Sequence, residues 1–153
     1  MEKLKKYFRI ALYIAIPLIF GGIGYILSGG TKIYGEINKP FFAPKGFLFP
    51  IVWTILYILM GVSHFMISKY KDNTKANVLY FTQLVFNAIW PLLFFRWKMF
   101  LISSIWLLVL LLLVLSMKKE FIKLDKTAGN LQIPYVIWLI FATILNFSIY
   151  FLN

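Results

Sequence analysis

Met99-Phe-Leu-Ile-Ser-Ser-Ile-Trp-Leu-Leu-Val-Leu-Leu-Leu-Leu-Val-Leu-Ser-Met117 runs for nineteen residues without a charged side chain. At 1.5 Å of rise per residue, about 20 apolar residues cross the hydrocarbon core of a bilayer. Four further uncharged stretches of that length flank it: Ile10–Thr31, Gly46–Ser68, Ala76–Phe95 and Thr127–Asn153. Lipid offers no water to the backbone, so each must fold as a helix. The sequence predicts an all-α membrane protein: a single domain over residues 1–153, with five spanning helices at about 8–28, 47–69, 76–96, 98–118 and 131–152.

Composition agrees, with 61% hydrophobic and 14% charged residues. The net charge of +11 raises the question of nucleic acid, but the basic residues are scattered through every connector and form no single stripe. They serve topology better. The N-terminal end (Lys3, Lys5, Lys6, Arg9), the second connector (Lys69, Lys71, Lys75) and the fourth (Lys118, Lys119, Lys123, Lys126) hold eleven cations. The opposite end (Lys32, Lys39, Lys45, Arg96, Lys98) holds five. The positive-inside rule therefore predicts a cytoplasmic N-terminus and an outside C-terminus, in what is expected to be a bacterial plasma membrane. The basic start and apolar run imitate a signal peptide, but the small-x-small cleavage pattern is missing and a retained first helix is expected. There is no cysteine, which excludes disulfides, thiolate metal sites and cysteine nucleophiles.

The connectors differ in character. Lys39-Pro40-Phe41-Phe42-Ala43-Pro44-Lys45-Gly46 combines helix-breaking residues with apolar ones that demand burial. Two readings stand: a folded loop that caps one end of the bundle, or an aromatic anchor in the interface. Within the spans, Trp53, Tyr57 and Gly61 share one face of the second helix, and Gln83, Asn87 and Trp90 one face of the third. Pro91 has no N–H for the Asn87 carbonyl, and Pro17 none for that of Tyr13. Trp138, Ala142 and Asn146 repeat the same spacing in the last helix. The fourth helix reads as a lipid-facing or packing element without chemistry.

Polar side chains inside a membrane face the bundle interior or a cavity. No Asp, Glu, Lys or Arg lies at mid-span, which argues against coupled transport and against a charge-lined ion pore. Gln83, Asn87 and Asn146 are either interhelical glue or ligand contacts. His64, the only histidine, lies near a helix end beside Ser63 and reads as interfacial or backbone-bonded, not as a haem ligand. No metal site is expected. Indoles and amides walled by phenylalanine describe a pocket for a flat, largely apolar ligand with a few polar handles.

Three segments carry a family resemblance. Lys39-Pro40, Ala43-Pro44, Phe49, Trp53, Leu56, Tyr57 and Gly61 form the first. Gln83-Leu84, Asn87, Trp90-Pro91 and Phe94-Phe95 form the second. Pro134-Tyr135, Trp138, Phe141-Ala142-Thr143 and Leu145-Asn146 form the third. In that order and over nearly the full length, the chain resembles the tryptophan-rich sensory protein / translocator protein family (TspO/MBR, the peripheral benzodiazepine receptor family). The resemblance implies a five-helix bundle, often a homodimer, with a cavity roofed by the first loop. It implies binding of porphyrins (protoporphyrin IX or haem), other tetrapyrroles, isoquinoline carboxamides and benzodiazepines, with no required cofactor. It also implies a sensor or scavenger role, with light-dependent protoporphyrin IX degradation in some members; porphyrin transport or facilitation is the alternative.

Carried over by position, Trp53, Asn87, Trp90, Trp138 and Ala142 match pocket-lining positions, with Trp53 and Trp138 tied to porphyrin photochemistry; Tyr57, Gln83 and Asn146, from the polar and aromatic faces above, complete the expected ligand-binding set. Lys32, Lys39 and Lys45 stand where porphyrin propionates would arrive. The chain departs from the family pattern at Lys45 and Phe47, where a second proline and a tryptophan are usual. It departs again at Pro50-Ile51, in place of Gly-Pro, and at Ile33-Tyr34, in place of Trp-Tyr. After Tyr150 no Lys or Arg follows, so the cholesterol pattern is broken.

Overall fold

The computed structural model describes residues 1–153. Its helices are α1 (Glu2–Ser28), α2 (Leu48–Ile67), α3 (Thr74–Pro91), α4 (Phe100–Leu124), the short α5 (Lys126–Asn130) and α6 (Ile133–Leu152). A 3-10 turn, Lys32–Gly35, lies in the first connector, and a π turn, Leu92–Arg96, continues α3. Five helical segments, the last formed by α5 and α6 together, are long and apolar enough to cross a membrane. Helix α1 packs on α2 and α3, α4 packs between α3 and α6, and α5 returns to α2.

Two helices outrun their apolar stretches. Helix α1 begins at Glu2, not near residue 8, because Glu2-Lys-Leu-Lys-Lys6 are sound helix formers with an acid in the first turn. Helix α4 continues to Leu124, six residues past expectation. Its last turns bury Phe121 and pair Lys123 with Glu120 at 2.8 Å, and Lys75 reaches the same carboxylate at 3.1 Å. Of the two readings of α4, lipid-facing or packing, the structure shows packing. Leu107, Leu110, Val114, Met117 and Phe121 are fully buried, and Ser103, Ser104 and Trp106 hydrogen-bond to its neighbours.

Helix α1 meets its neighbours through glycines. A Cβ on Gly61 would come within 2.4 Å of the Ile14 Cα and 2.7 Å of the Tyr13 carbonyl oxygen. That carbonyl is the one Pro17 leaves without a donor. A Cβ on Gly24 would meet the Ala88 carbonyl at 2.5 Å. Small residues thus bring backbones together where lipid supplies no hydrophobic drive. At the far end of α1, Arg96 Nη1 donates to the Leu27 carbonyl at 2.8 Å and caps the helix.

The first connector both caps and anchors. Tyr34 is buried edge-on against Phe49, with ring centroids 5.0 Å apart. Burial pushes its phenol up to about 12. Asn38 and Asn153 exchange hydrogen bonds of 3.0 and 2.9 Å, tying the loop to the end of α6. Phe41 is fully exposed and Phe47 largely so, as interfacial anchors are.

Between α4 and α5 the chain stops and restarts at Asp125. Its Oδ1 accepts from the backbone N–H of Thr127 at 2.9 Å and of Ala128 at 3.1 Å. The Ala128 hydrogen bond, helped by that of Thr127 and by Lys69 3.6 Å away, holds this carboxyl below its ordinary value. A depressed carboxyl stabilises the fold fully above the unfolded pKa of about 3.9, and this is lost as pH falls through the folded value. Asp125→Ala is expected to cost about 1 kcal/mol at neutral pH. Melts of the two proteins should stand apart at pH 7 and converge as pH drops below about 4.

Candidate functional site

Helices α1, α2 and α3 enclose a cavity of about 190 Å³ on the side of the first connector, which contributes Thr31. Gly21 and Gly22 open the α1 wall. Tyr57 lies against Gly21 so closely that a Cβ there would fall 2.1 Å from its ring. Above Tyr57 on α2 stands Trp53, stacked on it at 5.6 Å with planes 26° apart. Trp90 of α3 is tilted against Trp53 at 6.4 Å, and Phe49 and Phe95 complete the aromatic wall.

The polar groups behind this wall form two hydrogen-bonded sets. Tyr57 Oη donates to Asn87 Oδ1 at 2.6 Å, and Asn87 Nδ2 donates to Tyr135 Oη at 2.9 Å. Tyr135 Oη donates to Gln83 Oε1 at 2.8 Å, and Gln83 Nε2 faces Met60 Sδ at 3.9 Å. Trp90 Nε1 donates to Asn146 Oδ1 at 3.2 Å, while Asn146 Nδ2 donates to the Ser103 and Ser104 hydroxyls at 2.7 and 3.1 Å. Four helices are thereby locked around the cavity floor. Of the polar residues in these two sets, Asn87 alone lines the cavity with both donor and acceptor capacity left over.

Four of the eight residues expected from sequence line the cavity: Trp53, Tyr57, Asn87 and Trp90. Gln83 and Asn146 stand one layer behind, satisfied by protein partners. Ala142 is buried and lines no part of the cavity. Trp138 is separated from it by its neighbours Phe49 (6.0 Å) and Trp53 (6.5 Å), and its buried Nε1 has no partner. It faces instead a groove between α2 and α6. The interior stripe of α6 is Tyr135, Leu139, Ala142, Asn146 and Ile149, with Trp138 at its edge. Tyr135, the hub of the network, was not singled out by spacing because its polar partners lie on another helix. His64 is bonded through Nε2 to Asn77 Oδ1 at 2.8 Å and stacked on Tyr80, away from the cavity.

Toward the connector the cavity widens into a shallow hollow of about 690 Å³, sharing Tyr25, Thr31 and Pro50 with it. Lys32, Lys39 and Lys45 line this hollow. Lys39 is engaged, donating to the Tyr34 and Ile37 carbonyls at 2.6 and 3.2 Å, so it also holds the loop in shape.

Fold and site together define a small polytopic membrane protein with an aromatic interhelical cavity under a basic, loop-capped mouth. Comparison with known families matches residues 13–152 to the TspO/MBR family. The chain is 36% identical over 120 residues to a tryptophan-rich sensory protein of Cereibacter sphaeroides, covering 78% of this chain and 76% of that one. It is 32% identical over 155 residues to a tryptophan-rich protein TspO of Archaeoglobus fulgidus, covering 100% and 99%. It is 31% identical over 140 residues to the translocator protein of Homo sapiens, covering 86% and 80%. The chain belongs to the TspO/MBR family, and it is an integral membrane protein.

Proposed function

We propose that this protein binds a flat, anionic tetrapyrrole such as protoporphyrin IX, and acts as its sensor or scavenger. The observation that carries this reading is the stacked Trp53–Tyr57 pair facing the cavity, with the Asn87 amide at its base. Stacked indole and phenol rings suit a planar π-system, and a single amide suits one polar edge. The inner cavity of about 190 Å³ lies below the roughly 300–1,000 Å³ of sites that enclose a drug-sized ligand. It takes one edge of the macrocycle, while the remainder occupies the hollow, where Lys32 and Lys45 meet carboxylates. With the eleven-cation end in the cytoplasm, as the charge bias places it, this mouth faces outside. The cavity walls carry no acid, base or thiol, so the reading rests on binding and calls on no acid–base or nucleophilic chemistry.

The test is a titration of the protein in lipid nanodiscs with protoporphyrin IX in the dark, read by tryptophan quenching. Saturable quenching that an isoquinoline carboxamide reverses is expected. Removing cations from the mouth (Lys32→Gln with Lys45→Gln) should weaken binding several-fold at low salt and less at high salt. Quenching that rises linearly with added porphyrin would mean partition into lipid and would sink the reading.

A further inference from the structure

Helix α1 is 27 residues long, about 40 Å, against a hydrocarbon thickness of about 30 Å. The excess lies at its N-terminal end. Near the end of α2, Phe65 is met by the ring of Tyr13 at 5.6 Å and by the Arg9 guanidinium at 5.8 Å. Every residue from Glu2 to Arg9 is exposed, including Leu4, Tyr7 and Phe8. These two turns rise about 10 Å, enough to carry the helix from the hydrocarbon core through one headgroup layer of about 5–8 Å.

Their side chains are sorted. At 100° per residue, Lys5, Arg9, Lys6 and Lys3 fall in one arc about 160° wide, while Tyr7, Leu4 and Phe8 fill the opposite side. Glu2 is the one acid within the cationic arc. None of these four cations takes part in the protein's ion pairs, which engage Lys69, Lys75 and Lys123. Lysine stems that reach headgroup phosphates from these turns, with bare aromatic and aliphatic groups on the other side of the same turns, match the boundary between headgroups and acyl chains.

We propose that Glu2–Arg9 is a docking surface for anionic phospholipid headgroups of the surrounding leaflet, with Lys3, Lys5 and Lys6 taking phosphate oxygens and Leu4, Tyr7 and Phe8 turned toward acyl chains. It holds the end of the helix whose other half walls the cavity, and it does so whether or not a tetrapyrrole binds.

The experiment uses the full-length protein in nanodiscs of phosphatidylcholine containing phosphatidylglycerol, with spin-labelled versions of each lipid read by electron paramagnetic resonance. A lysine near an anionic surface is worth about fivefold in binding. The wild-type protein should favour the anionic label about tenfold at low salt, and much less at about 1 M salt, where screening acts within about 3 Å. The variant Lys3→Gln, Lys5→Gln, Lys6→Gln should retain no more than about a twofold preference, since glutamine keeps the helix. The control Lys118→Gln, Lys119→Gln, Lys126→Gln removes equal charge from the same end and should keep most of it. A wild-type protein without preference, or a salt-insensitive one, assigns the face to another occupant and overturns the proposal. Equal loss in the control does so as well, by showing that only total charge matters.

Discussion

Gly61→Ala is expected to be among the most destabilising single substitutions in this protein, at about 3 kcal/mol, or roughly 6–12 °C in the melting midpoint. The added methyl would run into the backbone of α1: Ile14 Cα at 2.4 Å, Tyr13 O at 2.7 Å and Ile14 N at 2.8 Å. Backbone within a helix cannot rotate aside as a side chain can, so α1 and α2 must separate. The site is more than a steric coincidence. Pro17 strips the Tyr13 carbonyl of its helical donor, and Gly61 allows α2 to close over that same carbonyl. The matched control is Gly22→Ala. Its methyl would meet nothing within 4 Å, and alanine is the better helix former, so stability should hold or rise slightly. Thermal melts in one detergent, following helical circular dichroism, decide between them. A Gly61→Ala protein that melts with the wild type would show that α1 and α2 are not held by this contact.

What the sequence revealed and what it hid divide along a physical line. Uncharged length alone exposes five spans, because the bilayer demands continuous apolar helix and tolerates no alternative. Helical spacing also brought Gln83, Asn87 and Trp90 to one face, and all three are buried. Spacing does not fix how far a helix is rotated relative to partners distant in sequence. On α6, Trp138, Ala142 and Asn146 obey i, i+4, i+8, but so do Tyr135, Leu139 and Thr143, and packing centres the buried stripe so that Ala142 and Asn146 stay inside while Trp138 falls at its edge. Likewise the leucine-rich α4 reads equally as lipid-facing or packing, and it lies between two other helices and buries its own stripe. Hydropathy reports how apolar a helix is; in a membrane it does not say whether its neighbour is lipid or protein. The amphipathic start of α1 was hidden for a simpler reason, since charged residues mark the limit of an apolar stretch without ending the helix.

The two tryptophans that sequence placed together should therefore behave differently in porphyrin binding. Trp53 forms part of the cavity wall and touches Tyr57, Trp90 and Tyr135 through its ring. Trp53→Ala removes both the stacking surface and the support of Tyr57, and should weaken protoporphyrin IX binding at least about tenfold, which is about 1.4 kcal/mol. Trp138 lies behind Trp53 and Phe49, and its indole N–H is buried without a partner. Trp138→Phe keeps an aromatic ring there and deletes an unsatisfied donor, so affinity should change by no more than about twofold and stability should not fall. Quenching titrations and melts of both variants in the same nanodiscs give the comparison. The reverse order, with Trp138→Phe crippling binding and Trp53→Ala sparing it, would move the ligand out of the cavity among α1, α2 and α3. The alternative seat would be the groove of about 530 Å³ that Val52, Leu56, Pro134, Trp138 and Phe141 line between α2 and α6. That groove has almost no polar surface, so a ligand there would be held by its apolar faces alone, and neither Asn87 nor the lysines of the mouth would affect its affinity.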